Sequence, residues 1–151
     1  MSAADRPTAQ DVYPLLVADV FELAGALRRR GDEVAGRLGQ TQARWQVMSV
    51  VSEGDWTVPD AARRLGVSRQ AVQRIADLLV EDGLASFEDN PAHRRSPHLR
   101  LSEPGRRTLD RIVETSLDES ADLLADVSED DLSSTRQVLR RLLDRLDGTG
   151  S

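Results

Sequence analysis

The stretch VPDAARRLGVSRQAVQRIAD, residues 58–77, has the pattern of two short helices joined by a tight turn. Gly66 can adopt the positive φ that such a turn needs, and Ala62 is small where two helices would cross closely. Two short helices with a glycine-containing turn form a helix-turn-helix. The residues expected to anchor this motif in a core are Leu65, Val67, Val72, Ile75 and Leu79.

The second helix of this motif carries a polar outer face. Arginine and glutamine side chains read guanine and adenine edges in the major groove of DNA. A helix N-terminus with a serine cap suits a phosphate. The other interpretation is an ordinary helical hairpin with a polar surface. The residues on this face are Ser68, Arg69, Gln70, Gln73, Arg74 and Asp77.

Two short apolar runs follow, LASFED (84–89) and HLRLS (98–102), and they predict a β-hairpin. A helix-turn-helix followed by a two-stranded ribbon is a winged helix, so the loop NPAHRR (90–95) becomes the tip of the wing. Arg94 and Arg95 can then contact DNA phosphates or the minor groove, where arginine is favoured. The alternative is that they only keep a hairpin edge soluble.

The charge of the chain is unevenly distributed. The net charge is −6, yet residues 57–111 hold ten Arg against eight Asp plus Glu, a balance of +2. The remainder holds ten Arg against eighteen acids, a balance of −8. A basic segment inside an acidic protein is typical of binding to an anionic partner, although a randomly charged surface would also fit.

Helices are expected on both sides of this segment. Apolar periodicity predicts one over residues 11–30, with Pro14 in its first turn, and another over 41–53, with Thr41 as N-cap. Residues 54–56 are expected to form a turn. A long helix should cover 102–127, and a capping box at Ser128 should begin the last one. The expected fold is all-α with a small β-hairpin wing.

Several functional classes find no support in the composition. The 151 residues suit one domain, or one domain plus extra helices, and there is no cysteine for a disulfide or a thiolate metal site. His93 and His98 lack a partner set for a metal ion, and no nucleophile–base pair is visible. We expect a soluble cytoplasmic protein without a membrane span, a cofactor, a metal or an enzymatic activity.

The run from residue 45 to residue 109, WQVMSVV…RRTL, resembles the winged-helix core of the MarR family of bacterial transcriptional regulators. The resemblance extends to the helices on both sides and so covers nearly the whole chain. Its most specific part is the wing and its exit, with Arg94, Arg95, Leu101, Ser102 and Gly105. The sequence departs from the family at His93 and Asn90, where aspartate is frequent.

The resemblance implies an organisation and a function. Residues 1–40 and 110–151 would form a helical dimerisation region, and 41–109 the winged helix-turn-helix DNA-binding region. The homodimer would bind a palindromic operator in double-stranded DNA and act as a repressor that a small-molecule effector releases. The residues expected to contact DNA are Thr57, Ser68, Arg69, Gln70, Gln73, Arg74, His93, Arg94 and Arg95.

Two alternatives remain open from the sequence. The chain could be a winged-helix module that binds a protein partner without reading DNA. Trp45, Met48 and Trp56 could line an effector pocket, although core packing is the commoner use of such side chains, and the residues that would bind a ligand stay unknown.

Overall fold

The computed structural model describes residues 6–148, which form six helices and three strands. In chain order the elements are α1 (Ala9–Gly36), α2 (Gln42–Ser52), β1 (Trp56–Thr57), α3 (Val58–Leu65), α4 (Arg69–Glu81), β2 (Ala85–Glu88), β3 (His98–Leu101), α5 (Glu103–Leu124) and α6 (Glu129–Gly148). The expected class, a mostly helical winged helix-turn-helix with a small sheet, is confirmed.

The chain divides into two compact units, residues 1–115 and residues 116–151, with the boundary inside α5. The first unit contains the apolar core, to which α2, α4, β3 and the first half of α5 all contribute. Its fully buried large side chains are Val34, Val47, Met48, Val72, Leu79, Leu99 and Ile112.

Helix α1 begins earlier than the sequence pattern predicted. The Thr8 hydroxyl accepts the N–H of Asp11, and the Asp11 carboxylate accepts the N–H of Thr8, so a capping box starts the helix at Ala9. Pro14 therefore lies inside the helix, and its expected place in the first turn is wrong. The apolar periodicity located the helix, but the cap decided where it begins.

The sheet has three strands in the order β1-β3-β2, with both pairings antiparallel. The sequence predicted β2 and β3 but assigned Trp56 to a turn. In the structure Trp56 pairs with Leu99, and Thr57 pairs with His98. The strand that lies just before α3 thus ties the helix-turn-helix to the wing.

The chain leaves the wing through a tightly packed junction. The Ser102 hydroxyl donates to the carbonyl of Gly83 at 2.6 Å and accepts the N–H of Gly105 at 3.1 Å. Gly105 is buried against the backbone of Leu84, with no space for a side chain. This contact fixes the start of α5 against the end of α4 and the start of β2.

The second unit consists of the end of α5 and helix α6. The Ser128 hydroxyl accepts the N–H of Asp131 at 3.1 Å and donates to its carboxylate at 2.8 Å, which places a cap where the sequence predicted one. No residue of α6 is buried in the part of the helix that the structure describes, Glu129–Gly148. That the terminal helices form one dimerisation region remains a prediction.

Candidate nucleic-acid interface

The helix-turn-helix is organised by short polar caps. Thr57, itself buried, caps α3 by accepting the N–H of Asp60, and its hydroxyl donates to the Asp60 carboxylate at 2.7 Å. That hydrogen bond, helped by the nearby Arg63 guanidinium, holds the pKa of Asp60 below its usual range although partial burial opposes the shift. The hydroxyl of Thr57 is thus occupied within the motif.

The turn between α3 and α4 has the geometry that the sequence predicted. Gly66 has φ +67°, in the left-handed region, and the N–H of Val67 donates to the carbonyl of Ala62 at 3.1 Å. Ala62 is buried at the helix crossing, and Leu65 packs against the core. Val67 is 48% exposed, so its expected role as a core anchor is wrong. The turn directs its side chain outward.

Helix α4 separates an apolar side from a polar side. The Ser68 hydroxyl accepts the N–H of Ala71 at 3.1 Å and caps the helix. Val72, Ala76 and Leu79 are buried and hold the helix on the core. The residues left exposed at its start and on its outer side are Ser68, Arg69, Gln70, Gln73, Arg74 and Asp77. All six face solvent, and the sequence predicts DNA contact for each of them except Asp77.

The loop at the wing tip is held by Asn90, which is only 6% exposed. Its amide nitrogen donates to the carbonyl of Ser96 at 3.0 Å, and its amide oxygen accepts the N–H of Ala92 at 3.1 Å. His93, Arg94 and Arg95 are exposed in the turns that follow. The Asn-Pro pair at residues 90 and 91 predicts a turn, but the sequence did not predict that the Asn90 side chain would be buried and hold the loop. Its position after Glu88 and Asp89 and before Pro91 was the available sign of a side chain that organises the turn.

The base of the wing is held by Arg100 on β3. Its guanidinium pairs with Glu88 on β2 and with Asp55 just before β1, so one side chain joins all three strands. Pairing with two carboxylates makes Arg100 a structural arginine. The arginines of the wing tip, Arg94 and Arg95, take part in no hydrogen bond or ion pair among the contacts that the structure describes.

A groove of about 430 Å³ lies between the start of α3, the exposed side of α4 and the wing. It brings together Arg69, Gln70, Gln73 and Arg95, four of the residues predicted to contact DNA. Phe87 and two prolines supply its apolar wall. The full lining is Val58, Pro59, Arg69, Gln70, Gln73, Phe87, Arg95, Ser96 and Pro97. Ser68, Arg74, His93 and Arg94 lie outside this lining, and so does the buried Thr57.

The candidate effector residues belong to the core. Met48 is fully buried, and Trp45 and Trp56 pack against the core cluster from its edge. None of the three lines the groove. Core packing, the commoner of the two interpretations, accounts for all three.

Two further features are absent from residues 6–148. These residues contain no group of three or more His, Cys, Asp or Glu side chains arranged to hold a metal ion. None of the helices found there is both long and apolar enough to cross a membrane.

Known sequences match the winged helix-turn-helix and most of the length of this chain. A family model described as winged helix-turn helix matches residues 44–104. An uncharacterized protein of Mycobacterium tuberculosis is 56% identical over 133 residues, which are 88% of this chain and 93% of that protein. The matched segment of the family model runs from α2 to the start of α5 and includes the whole groove.

Solved structures extend the likeness to about nine-tenths of the chain. A MarR/EmrR family transcriptional regulator from Acinetobacter superposes with a TM-score of 0.78 at 20% identity, over 91% of this chain and 98% of that chain. The M. tuberculosis transcriptional regulator MosR, solved in complex with DNA, gives a TM-score of 0.70 at 22% identity, over 88% and 96% of the two chains. At this identity the likeness shows the fold.

Proposed function

Because this chain belongs to the winged helix-turn-helix proteins of the MarR family, we propose that it is a transcriptional regulator that binds double-stranded DNA. In this proposal α4 enters the major groove and the wing contacts the neighbouring backbone or minor groove. The relative solved with DNA supports the assignment of this partner.

The single observation that carries the proposal is the groove between α4 and the wing. It combines arginine and glutamine, whose side chains suit guanine and adenine edges, with a wing arginine suited to a phosphate. These side chains come from two separate elements and converge only in the folded chain. A solvated surface with random charge would not be expected to bring them together.

A winged-helix module that binds a protein partner is the competing function. Such a module would be expected to present apolar side chains on α4 and an uncharged wing tip. The exposed side of α4 instead carries polar side chains from Arg69 to Asp77, and its large exposed apolar side chains, Leu78 and Val80, lie only near its C-terminal end. Arg94 and Arg95 are exposed at the wing tip. These observations favour nucleic acid over protein as the partner.

The test is selection of genomic DNA fragments by the purified protein, followed by sequencing. The proposal expects enrichment of one inverted-repeat sequence whose half-sites lie about one helical turn apart, because a two-fold dimer places its recognition helices in successive major grooves. Recovery of fragments without a shared sequence, at an affinity no better than for random DNA, would contradict sequence-specific regulation.

A variant of α4 sharpens this test. Arg69→Ala should weaken binding to the selected operator by roughly tenfold or more, and binding to random DNA by less, because a good bidentate base contact contributes ~1–3 kcal/mol of discrimination. Arg111→Ala on α5 removes the same charge from an exposed position and is the matched control. Equal losses on both DNAs would show that Arg69 contacts only phosphate.

The proposal further includes a homodimer that acts as a repressor and releases DNA on binding a small molecule. The support for repression and for an effector is the family resemblance. The location of the selected operator relative to promoters tests the sign of regulation. Operator overlap with the promoter is expected for a repressor, and a site upstream of it would contradict this part of the proposal.

A further inference from the structure

On the exposed side of α4, the carboxylate of Asp77 accepts a hydrogen bond from Gln73, a residue predicted to read DNA bases. The Nε2 of Gln73 donates to Oδ1 of Asp77 at 2.9 Å, across one helical turn. Gln73 lines the groove, and both side chains are exposed to solvent. A carboxylate here repels DNA phosphates, so its presence on a DNA-contacting face needs a reason.

The chemistry of the pair supplies that reason. An ionised carboxylate can only accept hydrogen bonds, so the amide of Gln73 must turn its NH₂ group towards Asp77. The amide oxygen of Gln73 and its second N–H then remain for a ligand. One acceptor beside one donor matches the N6 donor and N7 acceptor of adenine, whereas guanine presents two acceptors in the major groove.

We infer that Asp77 is a positioning residue that orients the Gln73 amide so that Gln73 reads adenine and rejects guanine. The inference rests on the proposed function, since it concerns how the same surface selects its DNA. Asp77 contacts no base in this scheme. It acts by removing the amide orientation in which both N–H groups of Gln73 would be free for guanine, and so it contributes specificity at the expense of general affinity.

The experiment measures base preference with operators selected by the wild-type protein. Each operator carries one base-pair replacement in both half-sites, and affinities are measured by fluorescence anisotropy.

In the wild type, Gln73 should set a preference for A·T over G·C of roughly 5- to 150-fold at one position per half-site. Asp77→Ala should reduce that preference several-fold at the same position, mainly by admitting guanine. Gln73→Ala should abolish it, and the double variant should behave like Gln73→Ala.

Two conservative variants separate orientation from charge and shape. Asp77→Asn keeps the size of the side chain but can donate as well as accept, so it should also admit guanine. Asp77→Glu keeps an acceptor-only group and should restore part of the preference for adenine. Glu81→Ala, which removes an exposed acid one turn further along α4, is the control for charge and should leave the base preference unchanged.

The outcomes distinguish failure of the inference from failure of the proposed function. If Asp77→Ala changes no base preference, changes it at another position than Gln73→Ala, or matches Glu81→Ala, the inference is wrong. If Gln73→Ala has no effect while Arg69→Ala does, the inference is again wrong and the regulator function stands. A wild-type protein without any sequence preference would overturn both.

Discussion

At the scale of single residues, Gly105 is tightly constrained by the backbone of a neighbouring element. A Cβ built there would lie 1.9 Å from the carbonyl oxygen of Leu84, and this oxygen belongs to the backbone and cannot rotate away. The start of α5 or the start of β2 would have to move. The hydrogen bonds of Ser102 that hold this junction would be strained at the same time.

We therefore predict that Gly105→Ala destabilises the protein, by about 1–3 kcal/mol or more as for an overpacked core. Urea unfolding followed by circular dichroism measures the change. Gly36→Ala is the matched control, because Gly36 is helical and a Cβ there meets nothing within 4 Å. Its effect should be neutral or slightly stabilising. Equal stability of the Gly105 variant and the wild type would show that the junction can relax without cost.

Residue-level prediction from the sequence succeeded where the interaction is local. The positive φ of Gly66 and the caps by Thr41, Ser68 and Ser128 depend on neighbours within three or four residues, and all are present. The burial of Asn90 and the exposure of Val67 depend on how a loop closes over or turns away from the core. Residue type alone does not determine whether a loop side chain is buried or exposed.

At the scale of elements, the sequence located every helix and both strands of the wing. Strand β1 was missed because two residues are too few to show an alternating pattern, and it exists only by pairing with β3, about forty residues later in the chain. For the groove, the sequence provided the residue types on α4 and the wing. Their convergence, and the participation of Phe87, required the folded structure.

The wing is the element whose contribution to DNA binding can be separated most cleanly. Arg94 and Arg95 are exposed at its tip, and Arg95 also lines the groove. Arg94→Ala combined with Arg95→Ala should lower the affinity for any DNA sequence. It should also flatten the plot of log K against log salt by about one to two units per wing. Each phosphate that the variant no longer contacts keeps its counterion, so that counterion is not released on binding and no longer contributes to the slope.

The measurement is a salt titration of operator binding by both proteins. Arg106→Ala combined with Arg107→Ala is the control, because these adjacent arginines are also exposed but lie on α5, where Arg107 pairs with Glu103. The control should change the slope less than the wing variant. An unchanged slope in the wing variant would remove Arg94 and Arg95 from the DNA interface and leave them as solubilising charges.

At the scale of the whole molecule, each unit exposes apolar side chains that a monomer would be expected to bury. On α1, Phe21 is 74% exposed and Leu15 is 66% exposed. On α6, Leu132 and Leu143 are exposed as well. A sizeable exposed apolar surface on a folded protein usually marks an interaction site. The proposed occupant is a second copy of the chain, which also fits an operator with two-fold symmetry.

The last prediction concerns this homodimer. Leu15→Glu or Phe21→Glu should weaken dimerisation by roughly hundredfold or more, because each substitution occurs twice in a symmetric dimer and burial of one such side chain contributes about 1.5–3 kcal/mol. Light scattering coupled to gel filtration, at a series of concentrations, measures the change. The monomer should keep its helical content, because both side chains point away from the core, yet it should lose preference for the palindrome over a single half-site. Leu78→Glu, at an exposed apolar position on α4, is the control that should remain dimeric. A wild-type monomer, or variants that dimerise as tightly as the wild type, would show that these apolar faces serve another partner.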